Sequence, residues 1–144
     1  MEPNELTSFK ESFIQCFCES PKIRTLLGAE SDSVDLKYRR IFPFLYDAAA
    51  AQETGAFLCI DTAVRSTEVK TYKRLEVIVW CYARQQDLKA DEGSRCDLLA
   101  QEAYQIVNGH TFHARPLKLA SMIPFRPAPG YRGKRMIFEA TVMD

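Results

Sequence analysis

The stretch Thr71–Arg84 constrains this chain more than any other. Leu75, Val77, Val79, Cys81 and Ala83 alternate with Arg74, Glu76, Ile78, Trp80, Tyr82 and Arg84. A period of two is the signature of a β-strand, whose side chains point alternately to the two faces of a sheet. One face is apolar throughout. The other starts charged and becomes aromatic, so that end is expected to be covered on both sides. The preceding run Ala56–Thr67 is also strand-like. Together the two predict a long hairpin with its tip near Ser66–Lys70, polar and extended enough to project beyond the core.

Residues 4–19 read as a helix. Phe9, Phe13, Ile14 and Phe17 recur at helical spacing, Asn4 or Thr7 is the candidate cap, and Ser20-Pro21 ends it. Residues 21–40 read as a turn-rich linker containing Gly28 and Ser31-Asp32-Ser33, with one helical turn at Ile23–Leu27. Ile41–Tyr46 is a short aromatic strand in which Pro43 argues for an edge or an irregular start. Ala48–Gln52 reads as a loop or a helical turn. After the polar loop Gln85–Gly93, Cys96–Val107 reads as a second helix. Ser94 is its expected N-cap, Asp97 supplies a capping-box-like acid, and Leu98, Leu99, Ala103, Ile106 and Val107 form its apolar face. Asn108-Gly109 stops it. Leu117–Phe125 and Met136–Met143 are the last strands. In the first, Leu117, Leu119, Ser121, Ile123 and Phe125 alternate with Lys118, Ala120 and Met122. The intervening Arg126–Gly133, with Pro127, Pro129 and Gly130, reads as a rigid turn-forming connection.

This order predicts an α+β fold in one domain, residues 1–144. It has an N-terminal helix (1–20), the linker (21–40) and a sheet-and-helix core (41–144). The sheet is expected to be single, mixed or antiparallel, with a long hairpin and one helix packed on it. A chain of 144 residues buries roughly two-thirds of its unfolded surface on folding, enough for a core without staples.

Composition narrows the function. Nineteen basic residues balance nineteen acidic ones, so no global field favours nucleic acid or a membrane surface. No secretory leader is expected, and no apolar stretch approaches the ~20 residues of a membrane span. The five cysteines, Cys16, Cys18, Cys59, Cys81 and Cys96, read as reduced thiols. Cys59 and Cys81 look like small core residues. Cys16 and Cys18, two apart on a helix, suit a shared metal poorly. Cys96, near a helix start, is a candidate for a lowered thiol pKa against the plainer reading of a buried or idle thiol. His110 and His113 share a loop without a nearby Cys or carboxylate to complete a metal set. Asp87, Asp91, Glu92 and Asp97 span a polar loop and a helix start at a spacing that matches no EF-hand. Phosphate loops and nucleophile elbows are missing from the sequence. No catalytic residue, cofactor or metal is assigned.

From Ile41 onward the order of elements resembles the tail-terminator, or tail-completion, proteins of long-tailed bacteriophages, of the lambda minor tail protein U type. The resemblance rests on an N-terminal helix, a short strand Ile41-Phe42-Pro43-Phe44 and a long hairpin ending in Leu75-Glu76-Val77-Ile78-Val79-Trp80-Cys81-Tyr82-Ala83. The helix Cys96–Val107 and a closing strand, Met136-Ile137-Phe138-Glu139-Ala140-Thr141-Val142, complete it. It implies a hexameric ring of identical subunits on the end of a tail tube, contacting the tube protein and a head-completion or connector protein. DNA passes through such a ring without sequence readout. It further implies no cofactor and no catalysis, and a place at the head-proximal end of the virion tail after assembly in the host cytoplasm. Related head–tail joining or neck proteins are the alternative within the same class.

Charge is unevenly spread. Between Ala103 and Phe138 there is no acid but six bases, Arg115, Lys118, Arg126, Arg132, Lys134 and Arg135, whereas residues 1–33 hold six acids and three bases. In a ring, one subunit's basic patch is expected to meet an acidic patch on the next. The expected binding surfaces are the hairpin tip, with Arg65, Lys70 and Lys73, and the connection, with Arg126, Tyr131, Arg132, Lys134 and Arg135. Two other classes compete: a single-stranded nucleic-acid module using Phe125, Tyr131 and Phe138 as stacking platforms, and a thiol enzyme using Cys16 or Cys96.

Overall fold

A computed structural model of the chain describes residues 1–29, 31 and 33–143. In chain order they form α1 (Pro3–Glu19), α2 (Pro21–Leu26), β1 (Ile41–Phe42), β2 (Ala56–Ser66) and β3 (Tyr72–Arg84). A 3₁₀ turn, Gln85–Asp87, leads to the small hairpin β4 (Lys89–Ala90) and β5 (Gly93–Ser94), then to α3 (Arg95–Val107). A second small hairpin, β6 (Thr111–Phe112) and β7 (Arg115–Pro116), precedes β8 (Lys118–Phe125) and β9 (Tyr131–Met143). The fold is α+β. Its main sheet has the order β1-β2-β3-β9-β8, in which only β1 and β2 are parallel.

Alternation along β3 builds two unlike faces. Leu75, Val77, Val79 and Cys81 join Leu58 and Ile60 of β2 and Met136 and Phe138 of β9 in the principal core. Phe13, Ile14 and Phe17 of α1 and Leu99, Ala103 and Val107 of α3 close it from above. The opposite face carries a smaller cluster at one end: Phe42, Ala48, Phe57, Cys59, Tyr82 and Tyr131. There the Phe42 and Tyr46 rings stack with centroids 4.0 Å apart, and the Tyr82 hydroxyl donates to the Tyr46 carbonyl. This cluster is the two-sided cover expected at the aromatic end of β3.

Several local expectations change for physical reasons. Neither Asn4 nor Thr7 caps α1. Pro3 occupies its first turn, where a missing N–H costs nothing, and the Glu5 carboxylate accepts from the Glu2 amide at 2.8 Å. Pro21 ends α1 and begins α2, with the Ser20 hydroxyl accepting from the Ile23 amide, so the helical turn expected at Ile23–Leu27 is present but starts two residues earlier. Of the linker residues, Asp32 lies outside the described residues. Ile41–Tyr46 pairs only at Ile41 and Phe42, because Pro43 has no donor to continue the ladder. Ser94 precedes α3, yet its side chain makes no capping bond; its backbone is held in β5 opposite Lys89.

The regular alternation expected over Leu117–Phe125 fails at a bulge between Leu119 and Ser121. A bulge shifts the side-chain phase by one residue. Leu117 is fully buried and Leu119 packs on the principal core, while Ser121 and Ile123 fall opposite Ile137 and Arg135, on the other face. The connection is also shorter than expected. Pairing resumes at Tyr131, so only Arg126–Gly130 is loop.

Candidate interaction surfaces

The hairpin tip is residues 67–71, and it is internally braced. The Thr67 hydroxyl donates to the carbonyls of Val69 and Tyr72. Below it, Arg65 Nε donates to the nearly buried Glu76 carboxylate at 2.7 Å, and Arg74 Nε lies 3.5 Å from Glu76 and 3.8 Å from Glu139. Arg65 is therefore committed within the subunit. Lys70 is exposed, Lys73 half-buried, and neither forms an ion pair among the described residues. Val69, 55% exposed, adds an apolar point to the tip.

The second expected surface is split by the strand it lies on. In β9, Met136 and Phe138 face the helices, so by alternation Lys134 and Arg132 lie on that side too. Lys134 Nζ is 3.9 Å from Asp97 of α3, and the Arg132 carbonyl faces the Cys96 thiol at 3.6 Å. A groove beside the start of α3 is lined by Leu88, Asp97, Phe125, Arg126, Arg132 and Lys134. Arg135 has the opposite parity and lies beside Trp80 and Ile123 in the register of the other face. Tyr131 does not belong to a surface at all. It is 4% exposed, and its hydroxyl donates to the Glu53 carbonyl at 2.5 Å. Expecting one continuous patch from Arg126 to Arg135 overlooked that a strand sends neighbouring residues to opposite sides.

A third surface was not anticipated. Beyond the aromatic cluster, against which Trp80 itself packs, the outward phase of the sheet carries further apolar residues. Cross-strand register aligns Ile78 with Ile137, and Trp80 with Arg135 and then Ile123. Ile78, Trp80 and Ile137 are half-buried and Ile123 is 41% exposed. The signal was present as apolar residues in the outward phase of both central strands, but the bulge in β8 hid the alignment of Ile123 with them.

The remaining candidates are occupied by structure. Burial pushes the Cys59 and Cys96 thiols up to about 12, and that of Cys81 well above its ordinary value. Cys96 therefore does not have the lowered pKa considered for it. All five cysteines are unpaired, and of them Cys16 alone is exposed. His110 packs edge-on against Phe13 at 4.9 Å, and His113 lies on Phe112 with Nε2 3.5 Å from Glu5. Asp87 accepts from the Gly55 amide at 2.7 Å. Among the described residues, no three His, Cys, Asp or Glu side chains are placed to share a metal. None of the described helices is long and apolar enough to cross a membrane. Phe138 is fully buried and Phe125 half-buried, so with Tyr131 they offer no stacking platform for bases.

No curated protein matches the chain. The YomW family model matches residues 11–140, a span from the second half of α1 into the last strand. The chain therefore belongs to the YomW family, a phage-associated family.

Proposed function

We propose that this protein is a structural assembly protein of a phage tail or tail-like particle, which caps the tail tube as a ring and joins it to the head or connector. The observation that carries this reading is the membership of residues 11–140 in a phage-associated family, in a chain whose element order resembles that of tail terminators. The surfaces agree with an assembly role. Exposed cations sit at a braced hairpin tip, Lys70, and on β9, Arg132, placed for charge-assisted bonds to acids of a neighbour. The rigid sheet holds these groups in position, which lowers the ordering cost of contact. Pro127, Pro129 and Gly130 restrict the β8–β9 loop in the same way.

The proposed role calls for partners of three kinds: copies of the chain itself, the tube protein, and a head-completion or connector protein. DNA passes through without sequence readout. The test is to mix the purified chain with tail tubes from the phage that encodes it and image the tube ends. Ring-shaped density at one end of each tube, with tube growth halted there, is the expected result. Bare ends that continue to elongate would overturn the proposal.

A further inference from the structure

The open face of the sheet is built unlike a solvent-facing one. In an antiparallel sheet with one wet face, residues of the outward phase are polar. Here Ile78, Trp80, Ile137 and Ile123 run across β3, β9 and β8 in neighbouring register rows. Three of these are half-buried and Ile123 is exposed; an apolar run left part-open to solvent beside charged residues marks an interaction site. The rim is Glu76, Arg74 and Glu139 on one side and the aromatic cluster on the other.

Among the described residues, two arginine Nε atoms of this face are buried without a hydrogen bond, Arg74 and Arg135, and only Arg74 has acids beside it. Arg135 stands between Trp80 and Ile123 in register, its Nε is buried without a hydrogen-bond partner, and no acid pairs with it among the described residues. A guanidinium so placed calls for a carboxylate from outside.

The complementary chemistry lies on the far side of the same chain. α1 covers the opposite layer of the sheet; its Glu11 is paired with Lys37, and the exposed stripe beside it is small and ends in one acid. Ser8, Ser12, Cys16 and Glu19 are all exposed. Glu19 accepts only from Gln15 and meets no cation among the described residues. Lys10, the single base of α1, is taken up by Asp61 of β2 at 3.0 Å. Small side chains at Ser8, Ser12 and Cys16, four residues apart on one stripe, leave room for a Trp ring.

We infer that the open sheet face around Trp80 and Arg135 is the seat of a second copy of this chain, which docks there through the exposed Ser8–Ser12–Cys16 stripe of its α1, with Glu19 meeting Arg135. This deepens the ring reading and rests on it. Because the two surfaces lie on opposite sides of one subunit, the contact is head-to-tail. Such contacts propagate, and close into a ring when the rotation permits.

Trp80 is the only tryptophan in the chain, so the contact carries its own probe. The experiment follows emission and acrylamide quenching of the full chain across a dilution series, with mass by light scattering on the same samples. As the mass rises from monomer to ring, emission should shift to the blue and quenching should fall severalfold. Arg135→Glu should hold the chain at monomer mass, and adding Glu19→Arg should restore assembly, a rescue that a merely misfolded variant would not show. Rings in which Trp80 stays as quenchable as in the monomer would overturn this surface and leave the ring reading standing. A closed dimer with Trp80 shielded would overturn the head-to-tail contact. A chain that stays monomeric at its highest soluble concentration would remove the self-assembly reading altogether.

Discussion

Gly133→Ala is the substitution on which the sheet geometry can be tested most sharply. Gly133 lies inside β9 opposite Tyr82, with extended backbone, so its role is space and not conformational freedom. A Cβ at this position would lie 1.8 Å from the Cys81 carbonyl oxygen and 2.6 Å from Tyr82 Cα. Carbon and oxygen atoms ordinarily approach no closer than about 3.3 Å, so the strands would have to part by more than an ångström. Both are interior strands, β3 held by β2 and β9 by β8, and neither moves freely. Overpacking of this kind costs about 1–3 kcal/mol, and each ladder bond lost adds about 1 kcal/mol. A total of about 3–5 kcal/mol corresponds to a fall in Tm of roughly 6–20 °C for a chain of this size. The assay is a urea and thermal melt beside Gly28→Ala, whose added Cβ meets nothing within 4 Å but whose φ is +82°; that control should lose about 1–2 kcal/mol. If Gly133→Ala costs no more than Gly28→Ala, the close approach of β9 to β3 is wrong.

Stability should fall in alkali. The Cys59 and Cys96 thiols rise from 9.0 to about 12 on folding, so between those values the unfolded chain holds fewer protons than the folded one. Their contribution is whole below pH 9.0 and is lost as pH climbs toward 12, by about 1.4 kcal/mol per thiol per pH unit. Urea melts across this range should show the slope, and Cys96→Ala should reduce it; a flat profile would contradict the burial of these thiols. Tyr131→Phe should cost about 1–2 kcal/mol, because it leaves the Glu53 carbonyl without the hydroxyl that serves it, whereas an unchanged melt would return Tyr131 to the surface. Arg132→Glu should leave the melt nearly intact, since an exposed charge adds little to stability, yet impair tube capping; normal capping would remove Arg132 from the interface. Thiol titration of the unfolded protein should find five free cysteines, and neither reductant nor chelator should shift Tm.

What was legible in the sequence was what a simple period encodes. β3 was read to within a residue because its alternation is uninterrupted, and α3 because Leu99, Ala103 and Val107 repeat on one face. What was not legible depended on neighbours. The bulge at Leu119–Ser121 is set by how β8 lies on β9, and no local pattern announces it. Arg126–Arg135 read as one basic connection because charges adjacent in sequence look like one patch, yet β9 separates Arg132 and Lys134 from Arg135. Tyr131 read as exposed because Pro and Gly precede it; its burial follows from the loop after β1, which folds back over it. Glu2 and Glu5 displaced the expected caps because Pro3 fixes where α1 begins.

The central claim is that this chain ends tail growth, and the most direct measurement is deletion of its gene from the phage that carries it. Electron microscopy of the resulting lysate should show tubes longer than the normal tail and heads without tails, both corrected by the gene supplied in trans. Joined particles with tails of normal length would contradict the account.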